Sequence, residues 1–159
     1  MRTRTPVLFL ALLVSWPPAA ASARDVAVVV SKENPTSEVS LKELVKIFKQ
    51  EKQFWEGGKK IYLIMRETGA PEKAIVMRKV YKMGDDLELK KYWLGMVFRQ
   101  EIASFPKTLS SNEAVKRFVN QAPNAVGFID AASVDDRVKA LRIDGKLPGE
   151  RGYVLADGL

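Results

Sequence analysis

The chain has 159 residues and neither cysteine nor histidine, which removes disulfide frameworks, thiol nucleophiles, imidazole bases and the usual zinc and haem ligand sets. Lys and Arg number 26 against 19 Asp and Glu, a formal net charge of +7, and 47% of residues are hydrophobic, too many for a disordered chain. Such a basic balance suits nucleic acid, a membrane surface or a small anion, so the placement of the charge decides more than its sum.

Residues 1–23 carry the pattern of a signal peptide: Arg2 and Arg4 form a basic start, Val7 to Trp16 an apolar run, and Ala21-Ser22-Ala23 a small-residue cleavage site. A retained anchor is the competing reading, but the run is about half of the roughly 20 residues a spanning helix needs, and Pro17-Pro18 ends it. The expectation is a periplasmic or secreted protein beginning near Arg24, with no membrane span after cleavage. Without the two arginines of the signal the chain keeps 24 basic and 19 acidic residues, a net +5.

Val26 to Val30 is a continuous β-branched run, which predicts a central strand covered on both faces. Ser31 to Val39 reads as a loop around Asn34-Pro35. Ser40-Leu41-Lys42-Glu43 is a capping box, and Leu41, Leu44, Val45 and Phe48 follow at helical spacing, predicting a helix over 41–50. A turn at Phe54 to Gly58 leads into a second buried strand, Ile61 to Met65. Pro71 opens the next helix, with Val76, Met77, Val80 and Tyr81 on one face and Gly84 as its stop. Asp85 or Asp86 caps a further helix carrying Leu89, Tyr92, Trp93, Met96 and Val97, the strongest periodicity in the chain. Ser104 to Leu109 reads as a loop, and Ser110 to Glu113 as a second capping box before Ala114, Val115, Phe118 and Val119. Two strands, Val126 to Ile129 and Val138 to Ile143, close the pattern, and a glycine-rich, charged tail after Gly145 is expected to be poorly ordered. Strands alternating with helices predict one α/β domain over 24–145, a mostly parallel sheet with helices on its faces, followed by a C-terminal tail over 146–159.

In such sheets ligands sit beyond the carboxyl ends of the strands. Two places qualify: Val30 through Ser31 toward Ser40, and Met65 through Arg66-Glu67-Thr68-Gly69-Ala70-Pro71 to Lys73. Arg66 offers a planar fork to an oxyanion, Gly69 a close backbone approach, and Thr68 a hydroxyl. The plainer reading of the same residues is a strand-to-helix turn in which Arg66 pairs with Glu67 or another carboxylate. Pro71 has no N–H to give and Glu72 sets a negative charge beside the proposed anion. Ser40, Ser110 and Ser111 fit helix caps. Asp85-Asp86 and Asp135-Asp136 stand at turns and caps rather than as catalytic pairs, and no serine has a base, so no catalytic residue, metal site or cofactor is expected. The lysines and arginines are interleaved with Glu along polar faces, which argues against nucleic acid.

The order of segments, Val26 to Lys32 with Asn34-Pro35, Ser40 to Phe48, a Trp55 turn and Ile61 to Glu67, resembles the substrate-binding proteins of phosphate ABC transporters, in the type 2 periplasmic-binding-protein superfamily. Pro123 to Ile129 is similar to that family's Pro-Gly-Ala-Ile-Gly-Tyr strand entry, and Val138 to Gly145 to its closing strand. The resemblance runs over about residues 25–145. The family's two-lobed members close on the anion, whereas the 136 residues from Arg24 onward suffice for about one lobe. The family's loop, Arg-x-x-Gly-Ser-Gly-Thr-Arg, is matched at Arg66, Gly69 and, conservatively, Lys73, while Ala70, Pro71 and Glu72 replace its Ser-Gly-Thr. Short single-lobe relatives carry Gly-Ser-Pro there and a Tyr-Trp helix like that at Tyr92-Trp93.

The resemblance implies a single lobe that holds phosphate or a similar small oxyanion weakly through Arg66, Thr68, Gly69, Ala70 and Lys73, with Ser31 as a second contact. It implies service to an ABC transporter permease or another envelope protein. The alternative is a protein-interaction or sensory module on a lobe that has lost its anion site.

Overall fold

The computed structural model describes residues 24–158, and the signal-peptide reading of 1–23 lies outside them. The Val-rich run forms β1 (Val26–Ser31), buried at every position. It lies fourth in a five-stranded sheet with β3 (Tyr62–Arg66), β4 (Lys107–Leu109), β5 (Ala125–Asp130) and β6 (Val138–Ala140), in the order β4-β3-β5-β1-β6. β3 pairs in parallel with β4 and β5, while β1 runs antiparallel to both β5 and β6. Four strands thus point one way and β1 alone points back.

The two-residue period of β1 divides the core. Val26, Val28 and Val30 join a cluster with α1 (Leu41–Phe48), α2 (Pro71–Val76) and α3 (Asp86–Phe98) on one face. Ala27 and Val29 join Ile64, Val115 and Val119 under α4 (Asn112–Gln121) on the other. Aromatic rings tie the larger face together: Phe48 lies 5.9 Å from Phe128, and Tyr81 meets Trp93 edge-on at 6.0 Å. The Tyr81 hydroxyl donates to the Phe48 carbonyl at 2.9 Å, and Tyr92 donates to the Lys49 carbonyl at 2.8 Å, fastening α3 to the end of α1.

Several elements differ from their sequence signals. The first helix ends at Phe48 because Gln50 turns left-handed at φ 59°. The second helix loosens into a π-helical stretch over Met77–Tyr81 and is stopped by Lys82 at φ 57°, not by Gly84. The expected loop 104–109 contains β4, which borrows its pairing from β3 and needs no pattern of its own. The expected loop 31–39 contains the short β2 (Glu38–Val39), and the expected strand 138–143 divides at Leu141. Its second half, β7 (Arg142–Ile143), pairs in parallel with β2.

The tail is part of the fold rather than poorly ordered. Tyr153 and Leu155 are buried in the larger cluster, Val26 donates its N–H to the Leu155 carbonyl at 3.0 Å, and the Tyr153 hydroxyl donates to the Val26 carbonyl at 2.8 Å. Among the described residues no helix is long and apolar enough to cross a membrane.

Candidate functional site

The carboxyl ends of β3, β4, β5 and β6 lie at one edge of the sheet, and the turn after β3 delivers the sequence-predicted loop to it. Glu67 donates its N–H to the Leu109 carbonyl at 3.2 Å, and Gly69 turns left-handed at φ 89°, a conformation that favours glycine. Ala70 then holds the N-cap position without a side-chain bond, and Pro71 opens α2.

Arg66 shares the face of Ile64, so its side chain points toward the start of α4 rather than toward solvent. One guanidinium nitrogen donates to the Asn112 side-chain carbonyl and another to the Ser110 backbone carbonyl at 3.3 Å. The Glu72 carboxylate lies 3.6 Å from the guanidinium, with side-chain exposures of 8% for Arg66 and 5% for Glu72. Asn112 completes the ring by donating to Glu72 at 3.1 Å and to the Ser133 hydroxyl at 3.3 Å. Arg66 is therefore an internal strut whose charge meets a carboxylate from the first turn of α2.

Thr68 and Lys73 converge elsewhere. The Lys73 ammonium lies 2.8 Å from Asp86, and the Thr68 side chain faces the same carboxylate. Burial pushes the Asp86 carboxyl up, but hydrogen bonds from Lys73 and Thr68, with the charges of Lys73 and Lys90, outweigh it and hold the group below the ordinary range. Beside this clasp opens a hollow of about 490 Å³ lined by Gly69, Ala70, Pro71, Lys73, Met83 and Asp86.

Ser31 is not brought to this place. Val30 lies level with Val126, which lies level with Leu63; Ser31 continues one residue one way and Arg66 three residues the other. Four residue steps separate them, roughly 13 Å along the sheet. The reversed direction of β1 is the cause, and the Ser31 hydroxyl instead accepts a hydrogen bond from the Glu33 N–H at 3.3 Å.

The residues that sequence reasoning missed as site members are Asp86 and Asn112, while Glu72 was read as a charge beside the anion and not as the partner of Arg66. Asp85 and Asp86 read as interchangeable caps, but Asp85 is the cap, accepting from the Glu88 N–H at 2.8 Å, which leaves Asp86 for the clasp. Ser40 and Ser111 are caps as expected, whereas Ser110 contributes its carbonyl to Arg66.

No protein-family profile matches the chain, and no curated protein matches it in sequence. Solved structures match it in fold. An ABC-type phosphate transport receptor from Vibrio cholerae superposes with a TM-score of 0.69 at 22% identity, covering 85% of this chain and 54% of the receptor. PstS from Borrelia burgdorferi gives 0.66 at 18% identity, with 86% and 56% covered. A substrate-binding protein of phosphate ABC-transporter type from Clostridium perfringens, solved with bound phosphate, gives 0.64 at 20% identity, with 79% and 47% covered. The chain has the fold of half of such a receptor. It spans about half the length of these proteins, which are binding proteins rather than enzymes. Within that half-receptor fold the Glu72 carboxylate meets the Arg66 guanidinium, which is the carboxylate pairing offered by the plainer reading of this turn.

Proposed function

We propose that the chain is an exported, non-enzymatic binding lobe that takes phosphate or a similar small oxyanion in the hollow beside Thr68, Gly69, Ala70 and Lys73, on behalf of an ABC transporter permease or another envelope protein. One observation carries the reading: Thr68 and Lys73 already converge on the oxygen atoms of a carboxylate, Asp86, at the edge of an open hollow. Donors arranged to hold one oxyanion are arranged to hold another. Arg66 of the original ligand set acts from behind, fixing the turn through Asn112 and Glu72. Affinity is modest, because an anion on one open lobe keeps much of its hydration and gains few desolvated hydrogen bonds.

Calorimetric titration of the purified chain with inorganic phosphate and with sulfate tests this. Saturable heat at millimolar phosphate, abolished by Lys73→Ala, is expected; no heat at that concentration would end the reading. Arg66→Ala is a poor probe, since it strands a buried carboxylate and disturbs the fold as well as any site.

A second reading, an interaction or sensory module that keeps the lobe without anion binding, is favoured by the internal engagement of Arg66. A calorimetric blank, with the chain still folded and Lys73→Ala without effect on its behaviour in the envelope, is the outcome that reading expects.

A further inference from the structure

The edge of the sheet holds a second acidic group that the binding reading leaves without a role, and its placement says what that role is. Asp86 is the first residue of α3, yet it does not cap that helix; Asp85 does, so the identity of residue 86 is free of the usual N-terminal constraint. Its carboxylate instead crosses to the turn before α2 and to the first turn of α2, where it faces Thr68 and takes the Lys73 ammonium, a cation that lines the hollow together with Arg78, whose own charge is paired with Asp157. The Lys73 and Asp86 side chains are 12% and 22% exposed, shielded enough for the pair to be firm and open enough for Asp86 to swing outward. Glu72, by contrast, is enclosed at 5% side-chain exposure and tied to both Arg66 and Asn112, so it has no such exit.

We infer that Asp86 is the residue that sets the oxyanion affinity of this lobe: its carboxylate is an internal competitor that a ligand must displace from Thr68 and Lys73. This inference rests on the binding reading above. A free anion entering the hollow meets a lysine already neutralised at 2.8 Å and a carboxylate of its own sign beside it. Binding therefore proceeds by exchange, one oxyanion for another, and the chain remains largely empty until the solute is abundant. The charge of Asp86 is the operative feature. An amide of the same shape still faces Thr68, and it neither neutralises Lys73 nor repels the entering anion.

The test is Asp86→Asn, titrated calorimetrically with inorganic phosphate beside the wild-type chain, with Glu88→Gln as a control that removes the same charge from α3 without touching Lys73. The expected result is phosphate binding at least about tenfold tighter in D86N than in wild type, the change that one removed close charge readily produces, with the E88Q value near wild type. If the wild-type chain binds and D86N binds equally or more weakly, or E88Q gains as much as D86N, the inference falls and the binding reading stands. If D86N binds while the wild-type chain gives no heat, the reading that the native chain binds an anion falls, and the inference stands in the form that the Asp86 carboxylate bars the hollow. If neither binds although both remain folded by circular dichroism, both fall.

Discussion

Arg66 illustrates how a charge that reads as a ligand contact in sequence becomes a structural member. Its neighbour Glu67 is the obvious partner by spacing, but adjacent strand positions face opposite sides of a sheet, and Glu67 is exposed. Glu72 reaches the guanidinium because the turn and the first helical residues fold back across the strand end. Asn112, 46 positions away, is brought in by the parallel pairing of β3 with β4 and the start of α4 just beyond it. A buried pair of this kind stabilises less than it destabilises when halved, since removing one member leaves an uncompensated charge in a low dielectric. Arg66→Met and Glu72→Met singly should each cost about 3–5 kcal/mol of unfolding free energy, and the double variant clearly less than their sum. Urea unfolding of the four chains measures this. Singles that cost under about 1 kcal/mol would mean that the guanidinium is free enough to serve a ligand after all. Position 66 was thus legible both as a ligand contact and as the partner of a carboxylate, but which carboxylate was not, and Asp86 was legible only as one of two equivalent caps.

At the scale of elements, the helices and long strands were legible because their periods match the faces they bury. The alternation of β1 and the i, i+3, i+4 rows of α1 and α4 lie where the two core clusters are. What the pattern could not show were elements defined by a partner: β4, β2 with β7, and the reversal of β1. Gly127, inside β5, is a case where packing across elements decides the residue. A Cβ there would stand 2.8 Å from a methyl carbon of Val115 and 3.5 Å from Ile64, so α4 can lie on the sheet only because this position is bare. Gly127→Ala should destabilise the protein by about 1–3 kcal/mol, the range for overpacking a filled core, despite the usual preference for alanine over glycine in a strand. The expected observation is a lower urea midpoint at unchanged slope. Val115→Ala in the same chain should recover part of the loss, because it removes the atom in the way; a midpoint at or above wild type in Gly127→Ala itself would mean that α4 shifts without cost.

For the whole molecule, the question is what closes a half-receptor fold. The overall order of strands and helices was readable as an α/β lobe, and the fold comparisons bear that out. The boundary placed at Gly145 was drawn on composition, and composition misleads there, because glycine and charge between the apolar residues hide a closing segment. The chain returns past β1, and the backbone of Val26 is satisfied by the tail on both sides, its N–H by Leu155 and its carbonyl by the Tyr153 hydroxyl. Asp157 adds an N–H to the Arg24 carbonyl at 2.9 Å and an ion pair with Arg78 at 2.9 Å. Tyr153 and Leu155 are among the residues of the larger core, each contributing about 1.5–3 kcal/mol by burial, and the two orphaned groups of Val26 would each cost a further 1–3 kcal/mol. The sum is about 5–12 kcal/mol, comparable with the whole stability of a domain this size. A chain stopped after Gly145 should therefore lose its cooperative thermal transition or express as aggregate. Tyr153→Phe in the full chain, which removes only the bond to Val26, should lower stability by about 1 kcal/mol and keep the transition. A truncated chain that melts cooperatively within a few degrees of the full one would mean that the lobe closes without its tail, and that Tyr153 and Leu155 merely cover a surface already sealed.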